Sequence, residues 1–333
     1  MTHSFKALRV HASGSGTEAR LETITLDDLT PGEVVVRVAW SGLNFKDALA
    51  VTGKSKIMRD LPRVAGIDFS GIVEDSSDAR YKKGDAVLVT GNNIGELFDG
   101  GLTEYARVAA DSVVPLPAGL SLREVMAIGT AGFTAGLALH RMLENHQAPE
   151  LGPIAVNGAT GGVGSIAITL LKGTGFSPTA ITGKPSSEAY LRGLGAEAIF
   201  DRRQIPASTR PLEKAIWGGA IDNLGGDNLA YLARTMRPWG NIAAIGLAQS
   251  HELHTTVMPF ILRGVSLLGI NSVDVPRPWR MKVWEQLAGA WKIRDLEKRI
   301  VAREISLDEV PAACKVLMAA EMQGRVLVRL AGG

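Results

Sequence analysis

The sequence predicts an α/β chain with two parts, one β-rich and one built on a doubly wound parallel sheet. Three observations carry this. The first third holds short β-branched runs broken by turn residues. Beyond it, apolar strands alternate with helical patterns. A glycine-rich turn, NGATGGVG at 157–164, joins the first of those strands to a helix. A length of 333 residues fits about two domains.

The elements follow in order. Residues 33–40 (EVVVRVAW) read as a strand entered through Pro31-Gly32, and residues 71–74, 86–90, 105–108 and 112–115 as further short strands. Turn clusters such as Lys83-Gly84-Asp85 and Asp99-Gly100-Gly101 separate them, which suits a compact barrel-like β domain. Residues 121–141 have helical spacing, opened by a capping box of Ser121 and Glu124. Strands are then expected at 153–157, 179–182, 198–200, 220–223, 240–247 and 265–270, with helices at 165–172, 186–194 and 229–236. Six strands with helical crossovers make a doubly wound sheet. Helices are expected at 281–293 and 309–318, and residues 324–330 (GRVLVRL) alternate as a strand that can return to the β domain. The expected domains are 1–121 with 297–333, and 122–296.

Composition narrows the function. With 36 Lys+Arg against 34 Asp+Glu, a net charge of +2 provides no strong basic field for nucleic acid or an acidic membrane. Cys314 is the single cysteine, so no internal disulfide or multi-cysteine metal site can form, and a reducing, cytoplasmic setting is expected. Lys6 and Arg9 interrupt any secretory core. The longest uncharged stretch, 151–171, carries five glycines, Pro153 and Asn157, which fits a strand–turn–helix and not a membrane span. His251 and His254 are three apart, unlike H-E-x-x-H, and His3, His11, His140 and His146 are scattered. No metal is expected, and Cys314 reads as a plain buried thiol.

The turn at 157–164 carries the chemistry. Against G-x-G-x-x-G, Ala159 takes the first position, Gly161 the second and Gly164 the third. The first turns the chain, the second admits a pyrophosphate to the backbone, and the third lets helix and strand pack closely. The helix N-terminus adds free N–H groups and partial positive charge. A dinucleotide follows. At the end of the second strand, where a carboxylate would bind the ribose of NAD, the chain reads Thr182-Gly183-Lys184-Pro185-Ser186. Lys184 can pair with a 2′-phosphate, Ser186 can donate to it, and Arg202 and Arg203 follow the third strand. NADPH is therefore favoured.

A β domain, a dinucleotide domain and a return strand, with NGATGGVGS at 157–165, resemble the medium-chain dehydrogenase/reductase superfamily over essentially the whole chain. In its zinc enzymes a cysteine ligand falls where Asn44 stands, and the Gly-His-Glu segment becomes Gly66-Ile67-Asp68. The four-cysteine lobe is missing. These departures match the zinc-free, quinone oxidoreductase-like branch. The strings SGLNFKDALAVTG (41–53), GIDFSG (66–71), GTAGFTA (129–135), TVMPFILR (256–263) and QGRVLV (323–328) resemble the acrylyl-CoA reductase AcuI/YhdH family.

The resemblance implies a GroES-like β-rich catalytic domain, a Rossmann domain, a homodimer and NADPH-dependent reduction of acryloyl-CoA to propanoyl-CoA. It also implies cofactor contacts at Thr160, Gly161, Gly162, Val163, Thr182, Gly183, Lys184, Arg202, Leu247, Ile261 and Ser272. Two positions depart from the family: Phe45 replaces a common tyrosine, and Ala319-Ala320 replaces an asparagine contact. Some relatives place a tyrosine acid where Ser55 stands, so no proton donor is assigned.

Hydride transfer to the β-carbon of an enoyl thioester builds charge on the thioester oxygen, which needs donors in a water-poor site. The loop Asn44-Phe45-Lys46-Asp47 supplies the catalytic candidates Asn44, Phe45 and Asp47. Asn44 can donate to the carbonyl or orient the cofactor, Phe45 can wall the nicotinamide, and Lys46 and Asp47 can instead fix the loop. Lys54, Lys56, Arg59 and Arg63 are candidates for coenzyme A phosphates. A quinone or enone reductase, and a non-catalytic NADPH-binding protein, remain the alternatives.

Overall fold

The computed structural model describes residues 4–14, 16–208 and 210–333, so His3 lies outside the described residues. The chain forms two compact units. One takes Met1–Thr130, Ser272–Ala288 and Leu296–Gly333, and the other Ala131–Asn271 and Gly289–Asp295. Leu122–Thr130 and Ser272–Ala288 cluster with the first unit, whereas the expected span 122–296 puts them with the dinucleotide domain.

The first unit opens on an antiparallel pair, β1 (Phe5–Ser13) and β2 (Gly16–Ile24). Sequence patterning misses it because β2, GTEARLETI, is charged and largely exposed, with no apolar run. Next comes β3 (Val34–Leu43), whose buried Val34, Val36 and Val38 alternate as a half-buried strand requires. Asn44 caps α1 (Phe45–Val51), where a loop was expected. Then follow β4 (Arg63–Val64), β5 (Asp68–Ser76), β6 (Ala86–Thr90), β7 (Tyr105–Val108) and β8 (Val114–Pro115). The predicted bounds of β6 and β7 hold, whereas residues 110–112 form a 3-10 turn before β8.

After these strands comes α2 (Leu122–Glu144), opened as expected by Ser121 and Glu124: each backbone N–H donates to the other's side chain, at 2.8 and 3.1 Å. Its backbone breaks at Gly129, with φ of 51°.

The second unit runs β9 (Ile154–Val156), α3 (Gly162–Gly173), β10 (Pro178–Thr182), α4 (Glu188–Leu194), β11 (Ala198–Asp201), β12 (Trp217–Asp222), α5 (Gly226–Thr235), β13 (Met236–Ala244), α6 (Met258–Arg263) and β14 (Ser266–Gly269). All neighbours pair in parallel, in the order β11-β10-β9-β12-β13-β14. The order reverses between β9 and β12, the switch point at which such sheets open a ligand crevice at their carboxyl ends. Ile181, Leu232, Met236 and Ile242 form its core with Trp217, each buried aliphatic contributing about 1.5–3 kcal/mol.

The chain then returns to the first unit through α7 (Arg277–Ala288), α8 (Leu296–Ile300), β15 (Val301–Ile305), α9 (Val310–Met318) and β16 (Arg325–Arg329). As expected, the last strand joins the β sheet: β16 pairs antiparallel with β3, setting Val326 opposite Leu43 and Leu327 opposite Gly42. Among the described residues no helix is long and apolar enough to cross a membrane.

Candidate functional site

In the second unit the chain leaves β9 at Asn157 and turns at once. The residue that makes the turn is Gly158, with φ of 56°, and not Ala159, which is buried beside it. The bend thus falls one residue before the first position of the motif. Gly161 caps α3 in ordinary extended conformation, and a Cβ there would lie 3.3 Å from the Gly158 carbonyl oxygen. Gly164 is different: a Cβ would come within 2.5 Å of that oxygen and 2.7 Å of the Ala159 Cα, so helix and turn can pack only without it. Thr160, Gly161, Gly162 and Val163 thus form a bare backbone edge at a helix N-terminus, a cradle suited to a diphosphate.

A polar ladder holds this turn at the switch point. Asn157 Nδ2 donates to Asp222, whose other oxygen accepts from the Gly225 N–H at 3.0 Å. The Asn223 N–H donates to Asn157 Oδ1 at 2.6 Å. Burial raises the Asp222 carboxyl above its ordinary range, opposed by the hydrogen bonds it accepts from Asn157 and from the Gly225 and Leu224 backbone. The ladder ties the ends of β9 and β12 together, a role that spacing alone did not reveal.

At the end of β10, Lys184 donates its backbone N–H to Thr182 Oγ1 at 3.1 Å. A Cβ on Gly183 would meet the Arg202 guanidinium at 3.4 Å, so Arg202 covers this corner. Arg203 does not join it, because it grips Asp201 at 2.6 Å. Glu188, the nearest acid in sequence, is paired with Arg192 at 2.7 Å. Arg202 is thus the cation that stands beside Gly183 at this strand end. Arg202 also lines a cavity of about 330 Å³ with Ile205, Asp227, Asn228 and Gln249. Leu247 and Ile261 are exposed apolar residues of the same unit, at 65% and 73%.

In the first unit a buried polar cluster lies where β3 meets β16. Asn44 Nδ2 donates to Asp68 Oδ2 at 3.0 Å and more weakly to the Gly42 carbonyl at 3.4 Å, while its Oδ1 accepts from Arg325 at 2.8 Å. Asp68 also accepts from the Gly42 N–H at 2.9 Å and the Thr130 N–H at 2.7 Å, just past the break at Gly129. Arg325 faces Asp68 at 3.7 Å, and burial lowers its basicity. Gly42 and Gly129 leave room for this: a Cβ at either would lie 2.8 Å from the Asp68 carboxylate.

Asp47 stands behind the cluster. Its carboxylate accepts from the Asn44 N–H at 2.8 Å and the Ile67 N–H at 3.0 Å. It is 1% exposed, and burial together with neighbouring Asp68 pushes its pKa up to about 7. Asp47 therefore fixes the start of α1, the second of the two roles its place in the loop allows. Lys46 is likewise engaged, with Glu96 at 2.8 Å. Phe45, the first residue of α1, is 42% exposed. Ser272 accepts at its carbonyl from buried Arg280 at 3.4 Å. Asp68 and Arg325 were present in the strings GIDFSG and QGRVLV, but nothing in their spacing marked them as partners of Asn44.

The basic segment divides. Lys54, Lys56 and Arg59 are exposed. Arg63 is buried, 3.6 Å from Asp99 and 4.0 Å from Asp60, because strand β4 turns it inward, and it is no surface cation. Cys314 is buried, its thiol pushed up to about 12 by burial and by Asp47. Among the described residues no three His, Cys, Asp or Glu side chains gather as metal ligands. His254 pairs with Glu252 at 3.1 Å instead.

Comparison with known proteins places both units. Residues 30–118 match the alcohol dehydrogenase GroES-like domain, and residues 162–289 match the family described as zinc-binding dehydrogenase. The acrylyl-CoA reductase AcuI of Ruegeria pomeroyi is 44% identical over 313 residues, 94% of each chain. The crystal structure of YhdH from Escherichia coli K-12 with bound NADPH superimposes with a TM-score of 0.94 at 43% identity, covering 97% of this chain and 99% of that one. The crystal structure of YhfP from Bacillus subtilis with NAD bound gives 0.95 at 43% identity, covering 99% of this chain and 100% of that one.

Proposed function

The chain belongs to the medium-chain dehydrogenase/reductase superfamily and, within it, to the acrylyl-CoA reductase AcuI/YhdH family, and on that premise we propose that it reduces the C=C bond of acryloyl-CoA to the propanoyl thioester with NADPH. The observation that carries this reading is the bare turn at Gly158–Gly164 with Lys184 and Arg202 at the neighbouring strand end. When bound, NADPH supplies the hydride for the β-carbon. The amides from Thr160 to Val163 hold its diphosphate, and Thr182, Gly183, Lys184 and Arg202 hold the 2′-phosphate. Phe45, Leu247, Ile261 and Ser272 complete the cofactor contacts.

Asn44 meets the thioester oxygen. Asp68 and Arg325 fix the plane of its amide, and the second amide hydrogen, held only by the weak 3.4 Å bond to Gly42, is the one it shares with the substrate. A fixed donor aimed at developing charge is the efficient arrangement. Asp47 faces backbone amides and moves no proton to substrate, so solvent supplies the α-proton. Lys54, Lys56 and Arg59 receive the coenzyme A phosphates. The cluster does not suit zinc: it offers an amide and a carboxylate already facing a guanidinium, with neither imidazole nor thiolate.

The enzyme works as a homodimer in a reducing cytoplasm. Support comes from the open edge strand β14, with Leu267 39% exposed, beside α6 with Leu262 62% exposed, and from a buried, unpaired Cys314. Stopped-flow NADPH consumption tests the function with acryloyl-CoA, crotonoyl-CoA and a benzoquinone. Acryloyl-CoA should give the highest kcat/KM, at a KM that rises with salt and with neutralisation of Lys54, Lys56 and Arg59. A higher kcat/KM for the benzoquinone reassigns the protein as a quinone reductase, and tight NADPH binding without turnover makes it a binding protein.

A further inference from the structure

We propose that Asn228, with Gln249, selects the base at the adenosine end of the cofactor by reading the exocyclic amine of adenine; the proposal rests on the dinucleotide reading above. Three observations meet in the cavity lined by Arg202, Ile205, Asp227, Asn228 and Gln249. Asn228, in the first turn of α5, is 6% exposed, yet its Oδ1 is buried with no hydrogen-bond partner. Leaving a buried carbonyl oxygen unpaired is unfavourable, so such an atom marks a place where a donor is missing. Its Nδ2 donates to Gln249 Oε1, which sets the orientation of the Asn228 amide and leaves the oxygen as its open side, while Gln249 is itself an exposed side chain that can swing aside.

The cavity also stands in the right place. Arg202 borders both this cavity and Gly183, at the end of the second strand of the unit, where folds of this order hold the ribose of the adenosine half. The base attached to that ribose must lie next door. Ile205 offers an apolar face to a flat ring, and an acceptor next to a donor complements the amine and ring nitrogen of adenine, the pairing by which Asn and Gln recognise that base elsewhere. Hypoxanthine carries a carbonyl where adenine carries the amine. Two oxygens would then oppose each other at Asn228.

The test compares NADPH with reduced nicotinamide hypoxanthine dinucleotide phosphate, titrated calorimetrically into the full chain. The unaltered protein should bind NADPH about tenfold more tightly, the value of one good hydrogen bond. In Asn228→Leu that preference should shrink to about twofold or less, and Gln249→Ala, at an exposed position, should reduce it in the same direction even if the first variant fails to fold. A general loss of structure would weaken both ligands alike and leave the ratio unmoved. Equal affinities in the unaltered protein, or an unchanged preference in the folded variants, overturn the assignment. Failure of NADPH itself to bind removes the dinucleotide reading and this assignment with it.

Discussion

At Asp47 a carboxyl group is buried beside a second one, Asp68, and its proton is held up to about pH 7 against an ordinary 3.8. Between those values the folded protein binds a proton that the unfolded chain has released. This group's contribution to stability therefore falls as pH rises from about 4 to 7 and is flat above that. Asp47→Asn removes the titration but also replaces one acceptor by an NH2 facing a backbone N–H, a loss of about 1–3 kcal/mol. Urea unfolding should show the variant less stable by that amount at pH 5, with the gap narrower at pH 8. Arg202 makes the opposite kind of contribution, since its exposed guanidinium is free to meet an anion. Arg202→Ala should cut the preference for NADPH over NADH, measured as a ratio of kcat/KM values, by about 10- to 100-fold.

Among the elements, the turn from β9 into α3 separates two uses of glycine. At Gly164 a methyl group would strike backbone at 2.5 Å, so α3 must shift away from the turn. Gly164→Ala should cost about 1–3 kcal/mol of stability and weaken NADPH binding as a consequence. At Gly161 the nearest atom is 3.3 Å away, a contact that a small adjustment relieves. Gly161→Ala should fold with a nearly unchanged melting temperature, yet raise KM for NADPH at least about tenfold by standing between the diphosphate and the amides. Thermal melts and cofactor titration of the two variants should separate packing from recognition. The bend itself belongs to Gly158, whose positive φ a motif alignment does not reveal.

For the molecule as a whole, β14 ends the parallel sheet with an unpaired edge, and exposed Leu267, Ile261, Leu262 and Trp239 lie on or near it. Exposed strand edges bearing apolar side chains seek partners, and native proteins that stay monomeric charge or cover them. Leu267→Lys should shift sedimentation from dimer to monomer. A parent that sediments as a monomer overturns the proposed homodimer, and a variant that sediments like a dimeric parent overturns this edge as its contact. Saturating NADPH should raise the melting temperature, because it binds the folded chain alone.

The sequence by itself determined the six strands of the second unit and their first three crossover helices, though not α6, together with the glycine-rich turn and the return of β16 to the first sheet. These are written in local terms: apolar periodicity, and glycines whose missing side chains matter within a few residues. It did not determine the charged β2, the break at Gly129 or the burial of Arg63, since each depends on what packs against it. Nor could it assemble the cluster of Asn44, Asp68 and Arg325, whose members are 24 and 281 residues apart. Only the pairing of β16 with β3 brings that guanidinium to that amide, because hydrogen bonds between strands are satisfied by register in space and not by distance along the chain.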